Sequence, residues 1–111
     1  MSTPGDVLIA PREIPIVQTD LYTATNVKAV MDALTATNTT AAAVTVTINI
    51  VPPGGSVGDS NVIAKTISIL AGQSYGFPEL RAHRLMPGYK FSAIASAVGV
   101  NLYVSGRITS P

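Results

Sequence analysis

The chain has no cysteine and no tryptophan, a single histidine and few charges. Each shortage excludes something. Without cysteine there is neither a disulfide framework nor a thiolate metal site. With 12% charged residues and a net charge of +1 there is no electrostatic footprint for nucleic acid. No apolar run approaches the roughly 18 residues that a membrane-spanning helix needs. The first residues, Met1-Ser2-Thr3-Pro4-Gly5-Asp6, have neither the basic segment nor the apolar stretch of a secretory signal. Cytoplasmic synthesis without conventional export is therefore expected.

Groups suited to catalysis are also sparse. The one imidazole, His83, lies in Arg81-Ala82-His83-Arg84. A general base needs an orienting partner and a nucleophile or polarised water. Glu79 is near in sequence, but two arginines crowd the imidazole, so a surface or interface histidine is expected. The acids Asp6, Glu13, Asp20, Asp32, Asp59 and Glu79 are scattered singly and form no evident carboxylate pair. Asp32, beside Val30 and Leu34, is expected to be half-buried against Lys28 or Lys65. The segment Pro52-Pro53-Gly54-Gly55-Ser56-Val57-Gly58-Asp59 lacks the Lys-Ser/Thr of a phosphate loop and the acidic ligands of a calcium loop. It reads as a loop at the end of a sandwich, available for contact if exposed. Asn38-Thr39-Thr40 fits the glycosylation pattern, which carries little meaning without a secretory signal. The expectation is a non-enzyme with no cofactor, no metal and no small-molecule substrate.

What the chain does have is strand patterning. Val44-Thr45-Val46-Thr47-Ile48-Asn49-Ile50 alternates β-branched apolar residues with Thr and Asn, which predicts a half-buried strand ended by Pro52-Pro53-Gly54-Gly55. Val44, Val46, Ile48 and Ile50 are expected to face the core. Val62 to Leu70 reads as a strand with Ile63, Ile67 and Ile69 on one face and Lys65 as the exception. Tyr89 to Ala95 and Val100 to Ile108 alternate in the same way, and Ser74 to Phe77 is a short strand. Ile14-Pro15-Ile16-Val17 fits an edge strand. Between Val27 and Thr37 the spacing of Val27, Val30 and Leu34 also suits a helix, but the Thr-rich end favours a strand. Asn38-Thr39-Thr40 would then be a hairpin connection into the next strand. A brief helical turn is expected at Glu79-Leu80-Arg81, and a type II turn at Pro87-Gly88.

Seven to eight short strands with turn signals about every ten residues predict an all-β, antiparallel sandwich of jelly-roll type. Residues 14–111 would form this single domain. Residues 1–13, with Pro4, Gly5, Pro11 and no periodicity, read as an extended N-terminal arm held by neighbouring subunits. A surface low in charge and rich in Thr, Ser and Ala suits a protein packed against others.

Several segments occur in a telling order: Asn38 to Ile48, then Val51-Pro52-Pro53-Gly54-Gly55 through Gly58-Asp59-Ser60-Asn61, Ile69-Leu70-Ala71-Gly72-Gln73-Ser74-Tyr75, Leu85-Met86-Pro87-Gly88-Tyr89-Lys90, Ser92-Ala93-Ile94-Ala95-Ser96 and Val104-Ser105-Gly106. Across about residues 22 to 109 this succession resembles a family of small structural proteins of tailed bacteriophages. The resemblance implies a β-sandwich virion component made in the host cytoplasm. It would be a capsid decoration (cement) protein bound to the outer shell as a homodimer or homotrimer and bridging capsomers, or else a tail, baseplate or head–tail accessory protein. Its partners would be the major capsid protein or other virion proteins and further copies of itself, with no nucleic acid and no membrane. No active site comes with the family. The segments outside or richer than the pattern supply the candidate contact residues: Val7, Leu8, Ile9 and Arg12 in the arm, and Arg81, His83 and Arg84 in the irregular segment. Deleting residues 1–13 is expected to weaken shell binding and leave the sandwich folded. A carbohydrate-binding adhesion module is the reading from another class, disfavoured by 5% aromatic residues.

Overall fold

A computed structural model describes residues 2–109. Among them the chain forms nine strands: β1 (Ser2–Glu13), β2 (Thr19–Thr23), β3 (Lys28–Asn38), β4 (Val44–Val51), β5 (Val62–Ile69), β6 (Ser74–Tyr75), β7 (Arg84–Leu85), β8 (Lys90–Ala95) and β9 (Val100–Thr109). A single 3-10 turn occupies Pro78–Leu80. One sheet runs β1-β9-β3, with β6 and β7 both paired to β3; the other runs β2-β8-β4-β5. Every pairing is antiparallel.

The pairings are nested. β4 pairs with β5, β3 with β6 and β7, β2 with β8, and β1 with β9. The chain is thus one long hairpin, folded over so that its strand pairs alternate between two sheets and closed by the β3–β9 and β4–β8 contacts. That is the jelly-roll form of the sandwich. The two-residue strands β6 and β7 share one strand position, so nine strands fill eight places.

The core lies between the sheets and includes Ile14, Met31, Leu34, Val46, Ile48, Phe77, Leu80, Leu85, Phe91, Leu102 and Val104. Phe77 is fully buried although its φ is 43°. Burying such a ring stabilises by about 1.5–3 kcal/mol, which offsets a left-handed backbone cost of about 1–2 kcal/mol. Its edge-to-face contact with Tyr75, at 4.7 Å and 82°, adds to the favourable side.

Several local expectations hold. The segment read as strand over Val27 to Thr37 is strand at Lys28–Asn38, the short turn falls at Pro78–Leu80, and Tyr89 N–H donates to Met86 O at 3.0 Å across Pro87-Gly88. Gly88 has φ 88°, the value that the second central position of a type II turn requires.

Other readings are corrected. Residues 2–13 are not an arm outside the sandwich, for β1 pairs with β9 along its length and places Leu8 and Ile9 in the core. Pro4 and Pro11 hid this strand; both are tolerated because β1 is an edge and its register shifts three times. Deleting it would remove a sheet edge as well as any contact. Ile14 to Val17 is not strand but a turn-out whose Ile14 is buried and donates its N–H to Val100 O at 2.8 Å. The link after Asn38 crosses from one sheet to the other and is no hairpin. In β4, Ile50 is only half-buried while Asn49 and Val51 are buried. Asn49 is drawn in by its amide bonds to Gly58 O (3.0 Å) and Asn61 Oδ1 (2.7 Å). In β5 the register shifts between Ala64 and Ile67, where Thr66 has φ 47°, so Ala64 and Ile69 face the core and Ile63 is exposed. This bulge accounts for the position of Lys65.

Candidate functional site

The seven candidate contact residues fall into two groups that the fold keeps apart. Val7, Leu8, Ile9 and Arg12 lie on β1, at one edge of the first sheet. Arg81, His83 and Arg84 lie at the opposite edge, with β9 and β3 between. Within the first group, Leu8 and Ile9 are both core residues, because the register shift between Val7 and Ile9 turns consecutive side chains inward. They are not available for contact. Val7 and Arg12 are exposed.

The second group is exposed and held on a rigid segment. Phe77, Leu80 and Leu85 anchor it in the core. Met31 N–H donates to His83 O at 3.0 Å, and Ala82 N–H donates to Met31 O at 2.6 Å. Between the Leu80 and Leu85 anchors, Arg81, Ala82, His83 and Arg84 are all left outside. Arg84 pairs with Val30, and together with Lys28, Met86 and Thr109 they line a shallow depression of about 360 Å³. Lys28 was missed as a member of this corner because only the β3–β7 pairing brings it there.

Charge is distributed unevenly around this corner. Lys65, Lys90 and Arg107 are paired with Asp59, Asp20 and Asp32. Asp32 takes both Arg107 Nε (3.2 Å) and Nη2 (3.1 Å), and neither Lys28 nor Lys65, because the β3–β9 register sets Val30 opposite Arg107. Among the described residues Lys28, Arg81 and Arg84 have no ion pair. Three uncompensated cations at one edge favour an acidic partner surface and speed encounter with it.

A larger feature was not legible in any one segment. Loops 14–18, 39–43, 70–73 and 96–99 meet at one end of the sandwich. Ala95 N–H donates to Pro15 O, Thr39 N–H to Gly99 O, and Gly72 N–H to Asn38 O, at 2.9, 2.9 and 3.0 Å. None of these loops contains a charged residue. They carry four of the nine exposed large apolar side chains among the described residues: Ile16 (53% exposed), Val17 (65%), Leu70 (63%) and Val98 (61%). Ala41, Ala42, Ala43, Ala71 and Ala97 are exposed around them. No loop offers more than two exposed large apolar residues, and 39–43 offers none, so no single segment signals a patch. The usable signal was the lack of charge in four separate turns.

This end is stapled in place. Asn38 is fully buried, and its amide donates to Ala42 O (2.7 Å) and Ile69 O (2.9 Å). Its Oδ1 accepts from Thr40 N–H (2.9 Å) and Thr40 Oγ1 (2.7 Å). The same burial rules out glycosylation at Asn38 in the folded chain. Gly99, at φ 108°, has its N–H on Glu13 Oε2 at 3.0 Å and sits where a Cβ would collide with Thr40. The apolar side chains are thus displayed on an ordered frame, which lowers the entropy cost of docking.

No family model and no curated protein matches the chain. Among solved structures, a chain in "Structure of infectious bursal disease virus Gx strain" aligns with 97% of this chain at 12% identity and a TM-score of 0.43. This chain spans 30% of the length of that one.

Proposed function

We propose that the chain is a structural component of a virus particle. Specifically, it is a capsid decoration protein of the tailed-bacteriophage kind that its sequence resembles, bound to the outer shell as a homo-oligomer. One observation carries the reading: the apolar end of the stapled jelly roll, whose four loops contain no charged residue. Exposed apolar side chains gathered on an ordered frame suit a docking surface. The basic corner at Arg81, Arg84 and Lys28 complements it by steering toward acidic groups on the shell. A subunit that binds the assembled shell and not its separated parts stabilises the shell by mass action. No bond is made or broken, and the product is contact.

The test is direct. Particles from the source of the chain are purified and imaged by electron microscopy with an antibody to the chain. Label spread over the shell supports decoration. Label confined to the tail or head–tail junction replaces it with an accessory role, and absence of the chain from particles removes the reading altogether.

A further inference from the structure

The outer face of the first sheet has two halves. Toward the basic corner it carries Lys28, Arg84 and the Arg107–Asp32 pair. Toward the loop end lies a shallow depression of about 450 Å³ lined by Pro11, Thr35, Thr37, Asn101, Leu102 and Tyr103, none of them charged. The strand register builds it: Thr35 is opposite Tyr103, Thr37 is opposite Asn101, and Ser74 flanks Thr37 on the other side. Tyr103 is 40% exposed.

Two properties define what such a shelf can hold. The first is an exposed aromatic ring on a central strand, fixed between β1 and β3 and not on a mobile loop. The second is unspent hydrogen-bonding capacity beside it. Thr37 and Ser74 share a bond of 2.8 Å between their hydroxyls, but the side chains of Thr35, Asn101 and Tyr103 make none among the described residues. An aromatic plane flanked by neutral donors and acceptors matches a ring with an apolar C–H face and hydroxyls around its rim. An anion would find no cation in the lining, and a purely apolar ligand would leave Thr35 and Asn101 desolvated and unpaired.

We propose that this face binds a neutral saccharide of one or two rings, seated on Tyr103 and hydrogen-bonded by Thr35, Thr37 and Asn101. The site is separate from the loop end and stands or falls independently of the virion role.

The experiment is an amide NMR titration of the intact chain with three neutral disaccharides: cellobiose, lactose and chitobiose. At least one is expected to give saturable shifts at Thr35, Thr37, Asn101 and Tyr103. Tyr103→Ala should weaken that binding about tenfold through loss of the stacking plane, whereas Tyr103→Phe should keep most of it. Thermal melts of both variants establish that the fold is retained. The proposal is overturned if none of the three sugars moves these amides, or if Tyr103→Ala leaves the titration unchanged. It is also overturned if the same amides shift with protein concentration alone, which would make the face a contact between copies.

Discussion

The two ends of the sandwich are built on one plan and finished differently. At each end a buried asparagine holds the loops. Asn38 serves loops 39–43 and 70–73 at one end, and Asn49 secures the long 52–61 loop at the other. At the second end Asn61 extends the network, taking Gly58 N–H at 3.2 Å and donating to Ser56 O at 2.8 Å. Loop 24–27 is tied there to the Pro87-Gly88 turn through Ala24 N–H to Tyr89 O (2.9 Å) and Gly88 N–H to Ala24 O (2.7 Å). Yet this end exposes Asp59 beside Lys65, with Val57 and Met86 as its large apolar side chains. The first end exposes Ile16, Val17, Leu70 and Val98 on loops without a charged residue, with the Glu13 carboxylate held on Gly99 N–H beside them. Ordered loops alone therefore do not mark a contact surface; both ends have them. The difference lies in what the loops display.

That comparison can be broken in stages. Asn38→Ala should have the largest effect. It leaves the buried Ile69 carbonyl without its amide donor and frees Thr40, so a loss of about 3 kcal/mol is expected in denaturant unfolding. Asn49→Ala removes two part-buried bonds. It should cost about 1.5 kcal/mol, and hydrogen exchange should quicken in 52–61 while 39–43 stays protected. Equal losses at the two sites would mean that the ends are not independently stapled. Asp32→Ala breaks the two-pronged Arg107 contact, but that pair is well exposed to solvent. A stability change of about 0.5 kcal/mol or less, vanishing at high salt, is expected from thermal melts. Smallest of all, Val17→Asp and Val98→Asp should leave stability within about 0.5 kcal/mol of the parent, because both side chains already face water.

The sequence made the middle of the fold legible and its margins obscure, for a physical reason. β8 and β9 follow period-two burial almost without interruption, as Phe91, Ala93 and Ala95, then Val100, Leu102 and Val104, all face inward. Alternation fails wherever a bulge adds a residue, as at Thr66 in β5 and beside Leu8 in β1, and no residue type announces that. Edge position hid β1, since its prolines read as breakers when they are only unpaired on one side. Ser92 is buried although it alternates with core residues in β8, because Gln18 donates to its Oγ at 2.7 Å and the Oγ donates to Thr19 O at 3.2 Å. The basic corner was half visible as Arg81, His83 and Arg84, and pairing added Lys28. The apolar loop end depends on four turns far apart in sequence meeting in space, which only the nested pairing decides.

The most direct test takes purified particles stripped of this chain and measures rebinding of three forms: the parent, the double variant Val17→Asp/Val98→Asp, and the double variant Lys28→Ala/Arg84→Ala. Two carboxylates placed in the apolar end should abolish rebinding, with a loss of a hundredfold or more in affinity, on the order of 3 kcal/mol. Removing the two cations should slow association and reduce its salt dependence without abolishing it. Rebinding of the Val17→Asp/Val98→Asp form at parental affinity would contradict the assignment of the loop end as the contact surface.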